Sequence, residues 1–594
     1  GDAPSEICAR VTYDYQMTLA ELALDNFIAP WTAWCHELGH LSRNQAHGSP
    51  GNVLDLYAAA DIPETEVFRS ITPDTPLVSK LASSAAHVTG KRLVSSETGT
   101  WLKEHFHVRL SDLKTLCDNL FVSGINHHVY HGTAYSPNDA AWPGWLFYAS
   151  SQINPQNTIW RDLPKLNAYI ARCQSVLQEG TADNDLLVYF PIHDVLHNPD
   201  RPLAAKLDIE ANWMQALPAM PTLRLLWNRG YAFDYVSDRQ LHDMEVRNNG
   251  LLTCGNRYEA ILVPPCDYMP ADTVERLHRL RDRGGRVIFL SPAPVDVPGL
   301  AKLEERRARF KALMADLPCA DDDALSEAAV RRERFCDDPG LRFIRRQRDA
   351  GHDYFMVNEG PDAIDAFVPL AVDFESALLM DPMSGATGAA QTRNGARREV
   401  RIQLDAGASL ILRTLNHAAR DLPWRYTEPR GTPFVLTGTW KVEFVDGGPD
   451  RPAPYETDAL ASWTDRGEAA ARFAGTAWYR IEFDAPSEGA DWQLDLGEVH
   501  ASARVRLNGK DVDTLIGPSF KTRLDNVRPG KNLLEIEVTN LAANRIRDLD
   551  RRGVEWKIFE NINFVNREYE SFDAADWPLA PSGLLGPVRI VRLA

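Results

Sequence analysis

The chain has 594 residues, too many for one hydrophobic core, and its 44% hydrophobic and 25% charged content is ordinary for globular protein. A formal net charge of -18 argues against a nucleic-acid partner, which needs clustered Lys and Arg, and no apolar run reads as a membrane span. The eight cysteines are scattered without a CxxC pair, which excludes a zinc ribbon and a dense disulfide scaffold. Residue 1 is Gly, and residues 1–19 lack a basic segment followed by an apolar one, so the true N-terminus and any signal peptide are expected upstream.

Four regions follow in chain order. In the first, 1–182, the spacing predicts a helix over 19–34, a short polar strand over 42–48 and a helix over 51–60. A strand ends at 95–98. A long amphipathic helix is expected over 101–123, with Leu102, Phe106, Leu110, Leu113, Leu116 and Leu120 at helical spacing, then a strand over 125–131. This rhythm is a βα repeat on a parallel sheet. The second region, 183–330, has short apolar strands at 186–190, 233–236, 260–263 and 287–290, with a helix over 271–283. Continuous apolar strands are buried on both faces, so an open doubly wound α/β sheet is expected. The third, 331–430, is strand-rich at 354–358, 367–369, 400–404 and 409–414 and reads as a small β-sandwich. The fourth, 431–594, has strands at 439–444, 477–483, 492–496, 503–507 and 532–539, and Asn508-Gly509 signals a hairpin. The Arg-rich stretch 545–552 reads as solvated surface.

Polar residues gather in four segments of the first region: Arg43, Gln45 and His47; Asp61, Glu64 and Glu66; Glu97; and Asn126, His128, His131 and Tyr135. Each lies at or just past the end of an expected strand, on the face where βα sheets build active sites, so one pocket is expected. That pocket has carboxylates and imidazoles but no Ser or Cys nucleophile motif and no Gly-rich phosphate loop. Carboxylates beside aromatic residues suit glycoside hydrolysis, in which one carboxyl protonates the leaving oxygen and the other activates water or attacks. Trp142, Trp145 and Trp160 are candidate sugar platforms, with core filling as the alternative for each. His36-Glu37-Leu38-Gly39-His40 matches the zinc-peptidase pattern HExxH, but Arg43 and Ala46 break its longer form. The alternative is that these residues lie on or beside an exposed helix end.

At SRNQAHG (42–48), NVLDLYAAADIPETE (52–66), SSAAHVTGKRLVSSET (83–98) and INHHVYHGTAYSP (125–137) the chain resembles the α-L-rhamnosidases of glycoside hydrolase family 106. The resemblance continues through PGWLFYASSQINPQNTIWRDLPKLNAYIARCQ (143–174), FENINFVNREYESFD (559–573) and GLLGPVRI (583–590). It implies a (β/α)8 catalytic barrel with accessory domains, and exo-acting release of terminal α-L-rhamnose from glycosides with inversion. The segments ending at His47, Glu66, Glu97 and His131 would be barrel strands five to eight, so region one would be the C-terminal half of the barrel. Glu97 in VSSET matches the family's general base. The acid, from strand four, is expected upstream of Gly1, with Glu64 and Glu66 as lesser candidates. Arg43, Gln45, His47, Asp61, Asn126, His128, His131, Tyr135 and Trp145 would bind the sugar. Members of the family can carry calcium near the sugar; its ligands are not assignable from the sequence, with Glu64 and Glu66 as candidates. Region two is similar to an amidotransferase-like α/β domain, without a Cys-His-Glu set. LDLGEVHASARVRLNGK (494–510) resembles the galactose-binding-like jelly roll of family 2 enzymes. A periplasmic or secreted home goes with the resemblance. The competing readings are another exo-glycosidase, a non-catalytic carbohydrate-binding chain, and the HExxH peptidase.

Overall fold

Four short strands, β1 (Arg43–Asn44), β2 (Ile62–Glu66), β3 (Ser95–Thr98) and β4 (His127–Tyr130), form one sheet in that order, and every neighbouring pair is parallel. The computed structural model describes residues 5–198, 207–210, 212–315, 317–320, 330–337, 340–485, 491–525, 527–558 and 562–594. The stretch 321–329 and the first three residues of the 559–573 segment lie outside the described residues.

Helices α1 (Ser5–Ala23) and α2 (Ala29–Glu37), joined by a π-helical turn at Leu24–Ile28, precede the sheet. One helix fills each crossover: α3 (Val53–Ala59), α4 (Thr75–Thr89) and α5 (Leu110–Val122); α6 (Leu163–Leu177) follows β4. Local chemistry sets the ends. Asn52 caps α3 by accepting from the Leu54 N–H at 3.0 Å. Gly90, at φ +77°, stops α4 in the left-handed conformation that glycine tolerates. The helix expected over 101–123 starts only at Leu110. Trp101 and Phe106 sit at φ +46° and +63°, which no helix accommodates. Their apolar spacing reflects a buried loop rather than a helix face.

Helix α4 is buried along almost its whole length, because a second sheet covers its far side. That sheet has the order Cys319–Ala320, Val287–Leu290, Ala260–Val263, Leu186–Tyr189, Phe233–Val236, all parallel. The order reverses between Leu186–Tyr189 and Ala260–Val263, where open α/β sheets usually hold ligands. Here α1 fills the crevice: Tyr13 OH meets His193 Nδ1 at 2.8 Å, and Arg10 donates to the carbonyls of Val297 and Gly299 at 2.7 and 3.0 Å. Between α4 and the sheet, buried Asp234 accepts from Asn184 at 2.7 Å and from Tyr258 OH at 2.9 Å, and pairs with His87 at 2.9 Å. These partners offset the cost of burying its charge. One continuous apolar cluster runs from Leu113 and Leu120 through Leu186 and Phe233 to Phe355 and Ile411, so the layers share a core.

The rest is antiparallel. Six strands, Thr387–Ala389, Ser376–Met380, Ser409–Leu415, Gly351–Asn358, Leu341–Arg348 and Thr181–Ala182, share a core with the three-stranded sheet Ile364–Pro369, Arg398–Leu404, Thr392–Asn394. A further six-stranded sheet pairs Ala474–Ala485 with Gly530–Thr539, and a four-stranded sheet packs beside it around Trp440, Trp463 and Tyr479. Ser502–Leu507 and Lys510–Leu515 form the hairpin, with Asn508 and Gly509 at φ +53° and +77°. The Arg-rich stretch is not all solvated: Arg545 lies 3.8 Å over the ring of Trp142.

Asp55 of α3 accepts from Ser237 Oγ at 2.5 Å, and burial pushes its carboxyl up to about 6. A raised carboxyl favours its neutral form in the fold, so that contribution is lost as pH rises through about 6. Asp55→Asn therefore gains little thermal stability near pH 4 and a growing amount up to a plateau above pH 7. Unfolding midpoints measured across pH check this, and a gain independent of pH contradicts it.

Candidate active site

Side chains alternate along a strand, so Glu64 and Glu66 share one face of β2. The register pairs Glu64 with Ser95 and Glu66 with Glu97, which stacks two polar layers on that face. In the lower layer Arg43 Nε lies 3.2 Å from Glu64 Oε2, and Ser95 Oγ donates to the same oxygen at 2.7 Å. In the upper layer Gln45 Nε2 donates to one oxygen of Glu97, and His131 Nδ1 bonds the other. His47 Nε2 faces Glu66 at 3.4 Å, and the Tyr57 hydroxyl holds His47 Nδ1 at 3.2 Å. Glu66, Glu97 and His131 bring ligand atoms within 4.8 Å of one another. Only Arg43 and Asn44 of the segment expected as a strand over 42–48 are extended; Gln45 and His47 lie on the loop beyond, which lets them curl over the strand ends.

His131 Nε2 donates to the Tyr148 carbonyl at 2.7 Å, so Nδ1 is the nitrogen that faces Glu97. Both ring nitrogens thus face acceptors, and the imidazolium satisfies both. Burial opposes a charge on His131, but the Glu97 hydrogen bond and the Tyr148 carbonyl outweigh it and raise the imidazole above its ordinary value. The His131 hydrogen bond holds the Glu97 carboxyl below the usual range, against burial and with help from Gln45. Glu97 is therefore a carboxylate at neutral pH. Phe147 stacks on the His131 ring at 4.9 Å and is 41% exposed, which gives the pocket an open apolar wall.

Several expected residues do not join this cluster. Asp61 lies before β2, at the far end from Glu66, and accepts from Ser42 N at 2.8 Å and from His36 at 2.9 Å. Asn126 precedes β4 and spends its amide on backbone: it accepts from Val94 N at 2.9 Å and donates to Arg92 O at 2.9 Å. His128 points to the helix layer, because it is one residue out of phase with Val129, the partner of Glu97. It meets Thr98 Oγ1 at 3.1 Å and the Phe121 ring edge at 4.7 Å, and burial lowers its imidazole to about 3. Tyr135 is 76% exposed and packs edge-on against Trp145 at 6.1 Å, with no contact to Glu97 among the described residues. Trp142 is tied to Arg545 and donates to Gln156 O at 2.9 Å. The HExxH pattern fails structurally: α2 ends at Glu37 and Gly39 sits at φ +73°, so His36 and His40 do not share a helix face.

Spacing in the sequence could not reveal the groups that hold the site from afar. Tyr148 OH meets Tyr569 OH at 2.6 Å, and Asn563 Oδ1 accepts from Tyr148 N at 2.9 Å. Arg69 donates to Arg567 O at 3.0 Å, and His105 to Val565 O at 3.1 Å. The 562–572 stretch thus returns from the end of the chain to the loops around Glu97. The one available signal was the resemblance at 559–573.

Residues 3–392 match the family described as alpha-L-rhamnosidase, glycoside hydrolase family 106. The chain belongs to that family. This family 106 chain resembles the structure of a rhamnosidase from Novosphingobium sp. PP1Y, with a TM-score of 0.77 and 25% identity over 99% of this chain and 57% of that one. A putative beta-glucuronidase of Formosa agariphila is 26% identical over 401 residues, 64% of this chain and 31% of that protein. The chain therefore spans little more than half of the first relative and under a third of the second.

Calcium takes six to eight oxygen ligands. Glu66 and Glu97 offer two such carboxylates, whereas His131 is a nitrogen donor already engaged by Glu97 and Tyr148. These residues fit one edge of a calcium site, not a whole one.

Because His131 is the first cause of the lowered Glu97 carboxyl, His131→Asn returns Glu97 toward the ordinary value. The midpoint of the Glu97 carboxyl resonance in a carbon-13 NMR titration then moves to higher pH, and an unmoved Glu97 titration contradicts the pairing.

Proposed function

We propose that the chain carries the general-base side of an exo-acting, inverting α-L-rhamnosidase, on the C-terminal half of a (β/α)8 barrel. The observation that carries this reading is the ionised Glu97, gripped by Gln45 and His131 at the strand ends beside Glu66. Glu97 takes a proton from water, which attacks the anomeric carbon opposite the leaving oxygen, so configuration inverts. Gln45 and His131 hold the base, and Arg43 and His47 reach sugar hydroxyls from the strand-one side. An inverting pair stands roughly 6.5–9.5 Å apart to admit that water. Glu66 approaches Glu97 within 4.8 Å, so it suits a sugar hydroxyl or a cation, and the reading places the acid outside these four strands. If calcium binds, Glu66 is the carboxylate that would hold it without engaging the base, and it would orient sugar hydroxyls. The terminal strands would form a jelly roll that buttresses the site, and a periplasmic or secreted home goes with such a substrate.

The Formosa relative's name supports a second reading, a β-glucuronidase. Hydrolysis of p-nitrophenyl α-L-rhamnopyranoside and of the β-D-glucuronide by the full-length protein separates the two. The rhamnoside is expected to be cleaved, and Glu97→Gln to lose on the order of 10²–10⁴-fold in kcat. Proton NMR of the first product should show β-L-rhamnose. Full activity in Glu97→Gln, or the α-anomer appearing first, would refute the assignment.

A further inference from the structure

The loop that leaves β3 just after Glu97 carries Lys103, His107 and Arg109 into a pocket of about 270 Å³ between the βα layer and the terminal β-sandwich. His500 of the strand Glu498–His500 closes the far side, and Leu541 and Leu579 supply an apolar wall. The space is far above the ~30 Å³ that one water occupies. No carboxylate lines it among the described residues.

Of the two cations, Lys103 is paired and Arg109 is not, among the described residues. Arg109 makes no ion pair among the described residues; its Nη2 lies 3.3 Å from His500 Nδ1. A guanidinium only donates, so His500 Nδ1 accepts and its proton sits on Nε2, facing Glu498 at 2.8 Å. Lys103 Nζ pairs with Asp112 Oδ1 at 2.8 Å, while Asp112 Oδ2 accepts from the Arg109 N–H at 2.8 Å. Asp112 is held by Lys103 and the Arg109 N–H, and Glu498 by His500, and neither lines the pocket. His107 packs on Trp577 at 4.5 Å, and neither ring nitrogen has a hydrogen-bond partner among the described residues. Burial, and then Lys103 and Arg109, hold His107 down to about 4, so its imidazole is neutral at neutral pH.

We propose that this interdomain pocket is a binding subsite for the carboxylate or sulfate group of an acidic sugar. Arg109 supplies the planar fork that matches an oxyanion, Lys103 a second charge, and His107 a neutral donor or acceptor. Leu541 and Leu579 receive the C–H face of the ring. That the ligand is a carbohydrate rests on the glycosidase reading above; that it is an anion does not.

Calorimetric titration of the full-length protein with D-glucuronate, D-glucose 6-sulfate, inorganic sulfate and D-glucose tests it. At least one anionic sugar is expected to bind, at least tenfold tighter than glucose and than inorganic sulfate, and the tighter of the two identifies the substituent. Arg109→Gln and Lys103→Gln are each expected to weaken it at least tenfold with an unchanged melting temperature, and Arg109→Lys to recover part of the loss. Added salt weakens a charge-led contact. Equal binding of glucose, undiminished binding in both Gln variants, or no binding of either anionic sugar at 20 mM overturns the proposal. Anion binding with no glycoside hydrolysis would sink the glycosidase reading and leave the anion site standing; hydrolysis without anion binding would do the reverse.

Discussion

A carboxylate that must stay ionised in a half-buried pocket needs partners fixed before the substrate arrives. Glu97 has two, Gln45 and His131, and their placement follows from the parallel register of β2, β3 and β4. The register sets Glu66 beside Glu97, and the loop after β4 brings His131 across. The Tyr148 carbonyl then fixes which nitrogen of His131 faces the carboxylate. A fixed hydrogen-bonded environment of this kind costs no reorganisation when charge moves in the reaction.

The far end of the chain is part of the same device. Asn563 accepts from the Tyr148 N–H, and Tyr569 meets the Tyr148 hydroxyl, so the terminal sandwich positions the carbonyl that positions His131. Two residues link Asn563 to Glu97. The second parallel sheet plays a different part. Its switch-point crevice is filled by Tyr13 and Arg10, and Cys266 there is pushed well above its ordinary value by burial and then by Asp194. A protonated thiol is a poor nucleophile, which fits a supporting role for this layer.

Strand positions were largely legible in the sequence because apolar runs such as 233–236 and 260–263 are buried on both faces and bounded by turns. The convergence of Gln45, His47, Glu66, Glu97 and His131 was legible too, since strand ends in a βα repeat point to one face. The phase of β4 was not. INHHVYH carries His at 127, 128 and 131, so both faces of the strand read as polar, and only pairing with β3 shows that His128 faces the helices while His131 lies past the strand end. Asp61 and Asn126 failed for a related reason: both stand before their strands, at the wrong end of the sheet. The false helix over 101–109 arose because a buried loop needs apolar residues as much as a helix face does, and only backbone angles such as that of Trp101 reveal the difference.

The most direct test is a crystal structure of the full-length protein with L-rhamnose bound. The account predicts the ring over Phe147, its anomeric carbon within one water of Glu97, with Gln45 and His131 still holding that carboxylate. Rhamnose seated away from Glu97, or a Glu97 carboxylate released from His131 in the complex, would contradict it.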